Sequence, residues 1–161
     1  MTSRIPVRGA LTRAALWIGA AGAVAFAWLP VAPSWQVRLL FAPLCHQQAE
    51  RTLMLFGETM AVCSRCSGLY FGAAAATVLT ALAVRSLWWP RPVWFLLAIA
   101  PTAVDAMLPW AGLPQLALVP RHFLAWPAGF AAGWFFSLGV AAMTVRPGHF
   151  TLASSVEVGD G

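Results

Sequence analysis

The chain has 161 residues, of which 60% are hydrophobic and only 9% are charged. Because a soluble domain usually carries about 25% charged residues, this composition excludes an ordinary water-soluble protein and indicates a single domain in a lipid bilayer. The ten basic and five acidic residues give a net charge of +5. The arginines lie between apolar blocks and do not form one basic face, which argues against nucleic-acid binding.

Charged residues divide the sequence into four apolar blocks, each long enough to cross a bilayer. A membrane helix needs about 20 residues, because each residue adds about 1.5 Å and the hydrocarbon core is about 30 Å thick. Backbone in lipid must satisfy its own hydrogen bonds, which favours helices. The sequence predicts an all-α, four-helix transmembrane domain over residues 1–147, followed by a flexible tail over residues 148–161. The predicted spans cover residues 14–31, 66–84, 93–110 and 124–145.

Arginine positions predict the orientation of the chain. Three arginines precede the first span: Arg4, Arg8 and Arg13. Positive charge accumulates on the cytoplasmic side of membranes, so we expect an inner (cytoplasmic) membrane protein with both termini in the cytoplasm. A cleaved signal peptide is the alternative. However, the first apolar block is longer than a signal-peptide h-region, and Trp28-Leu29-Pro30 is a poor cleavage site.

The stretch over residues 39–59 is too polar to be a span. It mixes apolar residues with Gln47, Gln48, Glu50 and Arg51, which is typical of an amphipathic helix at a membrane surface. We therefore predict an interfacial or re-entrant helix on the outer face.

Two GxxxG motifs predict close helix packing. Gly68 and Gly72 form one in the second block, and Gly129 and Gly133 form the other in the fourth. This spacing lets two helix backbones approach closely. Packing within the chain is the favoured use, and a homo-oligomer is the alternative.

All three cysteines and one histidine lie within a stretch of 22 residues. Cys63 and Cys66 have the CxxC spacing of a zinc knuckle, and Cys45 and His46 complete the Cys₃His set that binds structural Zn²⁺. Adjacent residues diverge by about 100° on a helix, so Cys45 and His46 can share one ion only where the backbone turns. The sequence predicts a zinc site of these four residues at the outer membrane face, and favours a protein that is not an enzyme.

Several alternatives use the same cysteines. Buried cysteines are often inert hydrophobic side chains, and an oxidising outer compartment permits a disulfide between two of them. Cys63 and Cys66 would be the catalytic pair of a redox protein, and a four-helix membrane protein with an outward CxxC resembles the quinone-coupled disulfide oxidases. Those enzymes relay electrons through two cysteine pairs, whereas this chain has three cysteines. An accessory subunit of a larger membrane complex is a further alternative.

Asp105 is the one charged residue inside a predicted span. An ionised Asp at mid-helix costs about 2.5–3.5 kcal/mol on insertion scales, so it requires a partner or a polar cavity. Arg121 is the first candidate partner, followed by Arg65 and His122. A structural ion pair, proton transfer and ligand binding stay open as roles of Asp105. Arg51, Arg65 and Arg121 are candidates for holding an anion or lipid headgroup, with simple snorkelling to the interface as the alternative.

An extended motif surrounds the cysteines: Cys45-His46…Arg51…Cys63-Ser64-Arg65-Cys66-Ser67-Gly68-Leu69-Tyr70…Gly72. It is followed by Pro101, Asp105, Gln115, Arg121 and Gly129. In this combination the chain resembles an uncharacterised family of small bacterial and archaeal predicted membrane proteins, which carry a domain of unknown function. Ala106 stands where that family usually has Gly. The resemblance covers residues 44–133 and implies a membrane location, without an activity, substrate or cofactor.

Overall fold

The computed structural model describes residues 4–6, 9–32, 34–83, 86–88 and 90–144. The helices in this part of the chain are α1 (Ala10–Trp28), α2 (Trp35–Phe41), α3 (Ser64–Ala83), α4 (Pro92–Met107) and α5 (Leu118–Thr144). The strands are β1 (Arg4–Pro6), β2 (Thr52–Leu55), β3 (Glu58–Cys63) and β4 (Ser86–Trp88). Short 3-10 turns occupy Leu29–Val31, Ala49–Arg51 and Leu108–Ala111. The predicted tail over residues 148–161 lies outside the described residues.

Three helical segments are long and apolar enough to cross a membrane: Ala10–Val31, Pro92–Ala111 and Leu118–Thr144. They coincide with the first, third and fourth predicted spans. The second predicted span is also a helix, since α3 covers 20 residues, but it is not among these three segments. Crossing of the membrane by α3 therefore stays a prediction.

The helix α5 packs against α1, α3 and α4, and α3 packs against both α1 and α5. Its contact with α5 depends on glycine. A Cβ atom on Gly68 would overlap the carbonyl oxygen of His122, and one on Gly129 would overlap that of Leu69. The second glycine of each GxxxG motif meets the opposing backbone in the same way. Both motifs thus serve packing within the chain, as the sequence analysis favoured.

The helix predicted over residues 39–59 is wrong. The short helix α2 ends at Phe41, because Pro43 has no N–H to donate and its ring obstructs a continuing helix. The strands β2 and β3 then form an antiparallel hairpin in which Leu55 faces Glu58. The two loop residues, Phe56 and Gly57, have φ angles of 52° and 85°, which is the geometry of a two-residue type I′ hairpin turn.

A second small sheet makes the all-α prediction too simple. The strands β1 and β4 pair antiparallel, with Ile5 opposite Leu87, and so connect the start of the chain to the segment after α3. The described residues are nevertheless mainly helical. The β2–β3 hairpin, the start of α3, the end of α4 and the start of α5 meet at one end of the bundle, where the predicted site residues lie.

Candidate metal centre

Two backbone segments bring the cysteines together: the loop after α2, and the junction of β3 with α3. Cys45 follows α2, Cys63 is the last residue of β3, and Cys66 lies in the first turn of α3. Their Sγ atoms all lie within 4.8 Å of one another. Sulfurs on one tetrahedral zinc ion are about 3.8 Å apart, since each Zn–S bond is about 2.3 Å. The three thiols therefore need to move by an ångström or less to share one ion.

The hairpin fixes the position of Cys45 relative to the CxxC pair. The backbone N–H of Cys63 donates to Sγ of Cys45 at 3.2 Å, and Cys45 is buried together with Phe41 and Val62 in one apolar cluster. No disulfide joins the three cysteines in the structure.

Hydrogen bonding within the cluster lowers the pKa of one thiol. A side-chain hydrogen bond from Cys66 lowers the pKa of Cys63 to about 5 and outweighs burial, which raises it. Because thiolates are both the metal-binding and the nucleophilic form of cysteine, Cys63 is prepared for either chemistry at neutral pH. The geometry of the three thiols is thus compatible with a metal and with redox exchange.

His46 is exposed and lies on the wall of the same cavity as the cysteines. The compact ligand group among the described residues consists of the three sulfurs, without His46. The backbone here is irregular, and Gln47 has a φ of 51°, which is uncommon for a residue with a side chain. Nε2 of Gln47 donates to the carbonyl oxygen of Arg38 at 2.6 Å, which anchors this turn. This turn comes directly after His46, and joint ligation by Cys45 and His46 stays a prediction.

A cavity of about 320 Å³ lies beside the thiols. Its lining includes the three cysteines and His46 on one part of the wall. The remaining charged lining consists of Arg51, Arg65 and Arg121. The two residue sets singled out from the sequence, the Cys/His group and the arginines, thus border one space.

Asp105 lies at the centre of the polar network and is only 1% exposed. Nε of Arg65 donates to its Oδ2 at 2.6 Å, and Nη2 of Arg65 donates to its backbone oxygen at 3.0 Å. Nε of Arg121 lies 3.3 Å from the same Oδ2, and the backbone N–H of Leu116 donates to Oδ1 at 3.2 Å. Arg121 was the first partner predicted, but Arg65 makes the closer contacts. The network ties α3, α4 and α5 together.

His122 does not contact Asp105, although the sequence made it a candidate partner. Its Nδ1 lies 2.8 Å from Oγ of Ser67, and its Nε2 accepts from Nε1 of Trp126 at 3.1 Å. Oγ of Ser67 also donates to the carbonyl oxygen of Ser64 at 2.9 Å, so the His122 Nδ1–H is the donor to Ser67. Neutral His122 therefore links α3 to α5 beside the cysteines.

Sequence reasoning missed the structural role of two serines next to the cysteines. Ser64 and Ser67 are both buried, and Oγ of Ser64 donates to the carbonyl oxygen of Leu118. Their i, i+3 spacing, with Gly68 next in the chain, is the signal that they face α5. They hold the start of α3, and with it the CxxC turn, against α5.

Comparisons with known proteins agree with this picture. A family model described as "Predicted membrane protein (DUF2085)" matches residues 45–136. An uncharacterised protein of Methanocaldococcus jannaschii is 28% identical over 98 residues, which are 60% of this chain and 63% of that protein, so the chain spans less than two thirds of this relative. An uncharacterised protein of Methanothermobacter thermautotrophicus is 29% identical over 116 residues, which are 72% of this chain and 97% of that protein. No solved structure matches.

The family match begins at Cys45 and includes all three cysteines, Asp105 and Arg121. It also covers the contact between α3 and α5 that positions them. The resemblance seen in the sequence is therefore confirmed. Because the match extends over more than half of the chain, this protein belongs to the DUF2085 family of predicted membrane proteins.

Proposed function

We propose that this protein is an integral membrane protein that binds one metal ion, with zinc as the first choice, through Cys45, His46, Cys63 and Cys66. The observation that carries the proposal is that the three Sγ atoms lie within 4.8 Å of one another although Cys45 is 18 residues before the CxxC pair. Thiolate-rich sets select zinc and other thiophilic metals over magnesium or calcium. His46 supplies the fourth ligand from the wall of the same cavity.

The metal would stabilise the connection between α1 and α3. Cys45 lies in irregular backbone, and β2 and β3 form only a two-stranded hairpin, which is marginally stable alone. A bound ion would cross-link Cys45 to the start of α3, and its binding energy would add directly to the folding energy of this segment. The expected role of the metal is structural, because four protein ligands leave no open coordination position for a substrate.

The proposal includes a topology. We infer four membrane spans in a single domain over residues 1–147, with α3 as the second span and both termini in the cytoplasm of a cell with an inner membrane. The 20 residues of α3 match a hydrocarbon core at about 1.5 Å per residue. Arg4, Arg8 and Arg13 before the first span support the orientation. The metal site then faces the outer side.

Metal analysis of the purified full-length protein tests the proposal. Protein prepared without chelator should contain one zinc per chain, and serine variants of Cys45, Cys63 or Cys66 should lose it. A thiol count in denaturant should give three free thiols per chain after metal release. Protein that lacks stoichiometric metal and contains a Cys63–Cys66 disulfide would overturn the metal proposal.

A thiol–disulfide oxidoreductase coupled to quinone is the second candidate. The low pKa of Cys63 and its hydrogen bond from Cys66 support it, because an attacking thiolate needs both ionisation and a neighbouring thiol. Cys45, within 4.8 Å of both, would be a third thiol for exchange. Reoxidation of the reduced protein by an added quinone, followed by a thiol count, distinguishes this candidate from the metal site.

A further inference from the structure

Arginines from three parts of the chain line the cavity beside the thiols. Arg51 lies in the 3-10 turn before β2, Arg65 in the first turn of α3, and Arg121 near the start of α5. Arg121 is only 5% exposed, whereas Arg51 is exposed. Positive charge therefore extends from the buried part of the cavity to its mouth.

The positive charge of these three arginines exceeds the negative charge that surrounds them. Among the described residues the ion pairs are those of Asp105 with Arg65 and Arg121, which leaves Arg51 without a carboxylate partner. Counting Asp105 once, the lining keeps two positive charges in excess. One ionised thiol, or three thiolates on a divalent ion, removes one of these charges. The lining stays positive in both states, so compensation of the thiolates does not account for all three arginines.

One donor in this lining also lacks an acceptor. Nη2 of Arg121 donates to the carbonyl oxygen of Leu116 at 2.7 Å, but its Nε has no hydrogen-bond partner among the described residues. Oδ2 of Asp105, 3.3 Å away, already accepts from Nε of Arg65. Arg121 lines the cavity and shares its only carboxylate partner among the described residues with Arg65, so its charge is compensated only in part.

Exposed apolar side chains lie in the cavity lining and at the tip of the β2–β3 hairpin. Leu44, which lines the cavity, is 59% exposed, and Phe56 at the tip of the hairpin is 89% exposed. Exposed apolar residues next to arginine are typical of a surface that sits at the level of lipid headgroups. Phosphate groups are concentrated at that level.

We propose that this cavity binds a phosphate group, held by Arg51, Arg65 and Arg121 next to the thiol cluster. Guanidinium groups match phosphate oxygens with paired N–H donors, and a cavity of about 320 Å³ has room for a phosphate with an attached group. The phosphate belongs to a lipid headgroup or to a soluble phosphate compound. The inference goes beyond the metal proposal, because it uses different side chains of the same cavity.

Two probes and a matched pair of variants test the phosphate site. Full-length protein in detergent is titrated with inorganic phosphate by calorimetry. The same protein in phosphatidylcholine nanodiscs, with and without phosphatidic acid, is followed by thermal unfolding. The test variant is Arg51→Gln, and the control is Arg91→Gln, which removes the same charge from an exposed arginine before α4. Zinc content is measured in every preparation.

We expect at least one probe to bind the wild type, and Arg51→Gln to weaken that binding about tenfold, since it removes charge-assisted hydrogen bonds. Arg91→Gln should bind like the wild type. Binding of inorganic phosphate would indicate a soluble ligand, and a response to phosphatidic acid alone would indicate a lipid. The inference is overturned if neither probe binds, or if both variants weaken binding equally. Zinc without phosphate binding contradicts this inference alone, whereas phosphate binding without zinc contradicts the metal proposal alone.

Discussion

Arg65, inside the CxxC motif, donates from Nε to Oδ2 of Asp105 at 2.6 Å. A single residue thus connects the cysteine cluster to the buried carboxylate of α4. Cys63 and Cys66 flank this arginine in sequence, so the orientation of the CxxC turn depends on an ion pair with another helix. Arg121 approaches the same oxygen from α5, which makes Asp105 the ion-pair partner of two cationic side chains.

Loss of the Asp105 carboxylate should destabilise the protein. Asp105→Asn leaves the Arg65 and Arg121 guanidinium groups without their anion, and breaking a buried ion pair costs about 3–5 kcal/mol. A double-mutant cycle with Arg65→Gln should be non-additive by at least about 0.5 kcal/mol, measured as free energies of unfolding in detergent. The exposed Arg91→Gln serves as the uncoupled partner. If the effects on the free energy of unfolding are additive for Asp105→Asn with Arg65→Gln, as they should be with Arg91→Gln, the Arg65–Asp105 pair does not stabilise the protein.

Glycine in the contact between α3 and α5 should be irreplaceable by alanine. In Gly129→Ala the new methyl group would overlap the carbonyl of Leu69, and the resulting separation of the helices should cost about 1–3 kcal/mol. Gly139, in the same helix, has open space around its Cα. Gly139→Ala should be neutral, or stabilising by up to about 1 kcal/mol from helix propensity. Thermal unfolding of the two variants tests this prediction. Equal unfolding temperatures for both would contradict the close contact between α3 and α5.

Removal of zinc should lower stability, and His46 should contribute to zinc affinity. At a free zinc concentration about 100 times the Kd, binding stabilises the folded state by about 2.7 kcal/mol, which a chelator should abolish. His46→Ala should weaken zinc binding by at least about tenfold in a competition assay, since it removes one of four ligands. Gln48→Ala is the control, because Gln48 is exposed and lines the same cavity. Unchanged affinity in His46→Ala would remove His46 from the ligand set.

Reporter fusions test the four-span topology and the role of α3 within it. Fusions after Arg85 and after Arg146 should report the cytoplasm, and a fusion after Gln115 should report the outer side. An outer signal after Arg85 together with a cytoplasmic signal after Gln115 would mean that α3 does not cross the membrane. That result would also require a new location for the end of the chain.

The apolar blocks between charged residues predicted the long helices well. Helices α1, α4 and α5 follow apolar blocks whose length alone demands a helix in lipid. The hairpin was missed because a short amphipathic segment fits both a helix and strands. The residue that could have distinguished a hairpin from a helix is Gly57. Glycine is favoured in two-residue hairpin turns because these turns require positive φ angles.

The cysteine cluster and the polar network differ in how far sequence could predict them. Cys63 and Cys66 lie three residues apart, and Cys45 is 18 residues before Cys63, so their meeting needs only a short return of the chain. The choice between Arg65 and Arg121 as partner of Asp105 depends on which helices are neighbours. The GxxxG spacing indicates that α3 and α5 pack closely, but it does not indicate where α4, which carries Asp105, lies against them.

The chain passes from β3 into α3 without a connecting residue, because Cys63 ends the strand and Ser64 begins the helix. A displacement of the sulfurs is therefore a displacement of the helix end. Contraction of the thiol cluster around an ion would pull on the first turn of α3. Gly68, one turn further along α3, is in direct backbone contact with α5, so α3 cannot move there without α5. Both helices would therefore shift together when the cysteine cluster contracts.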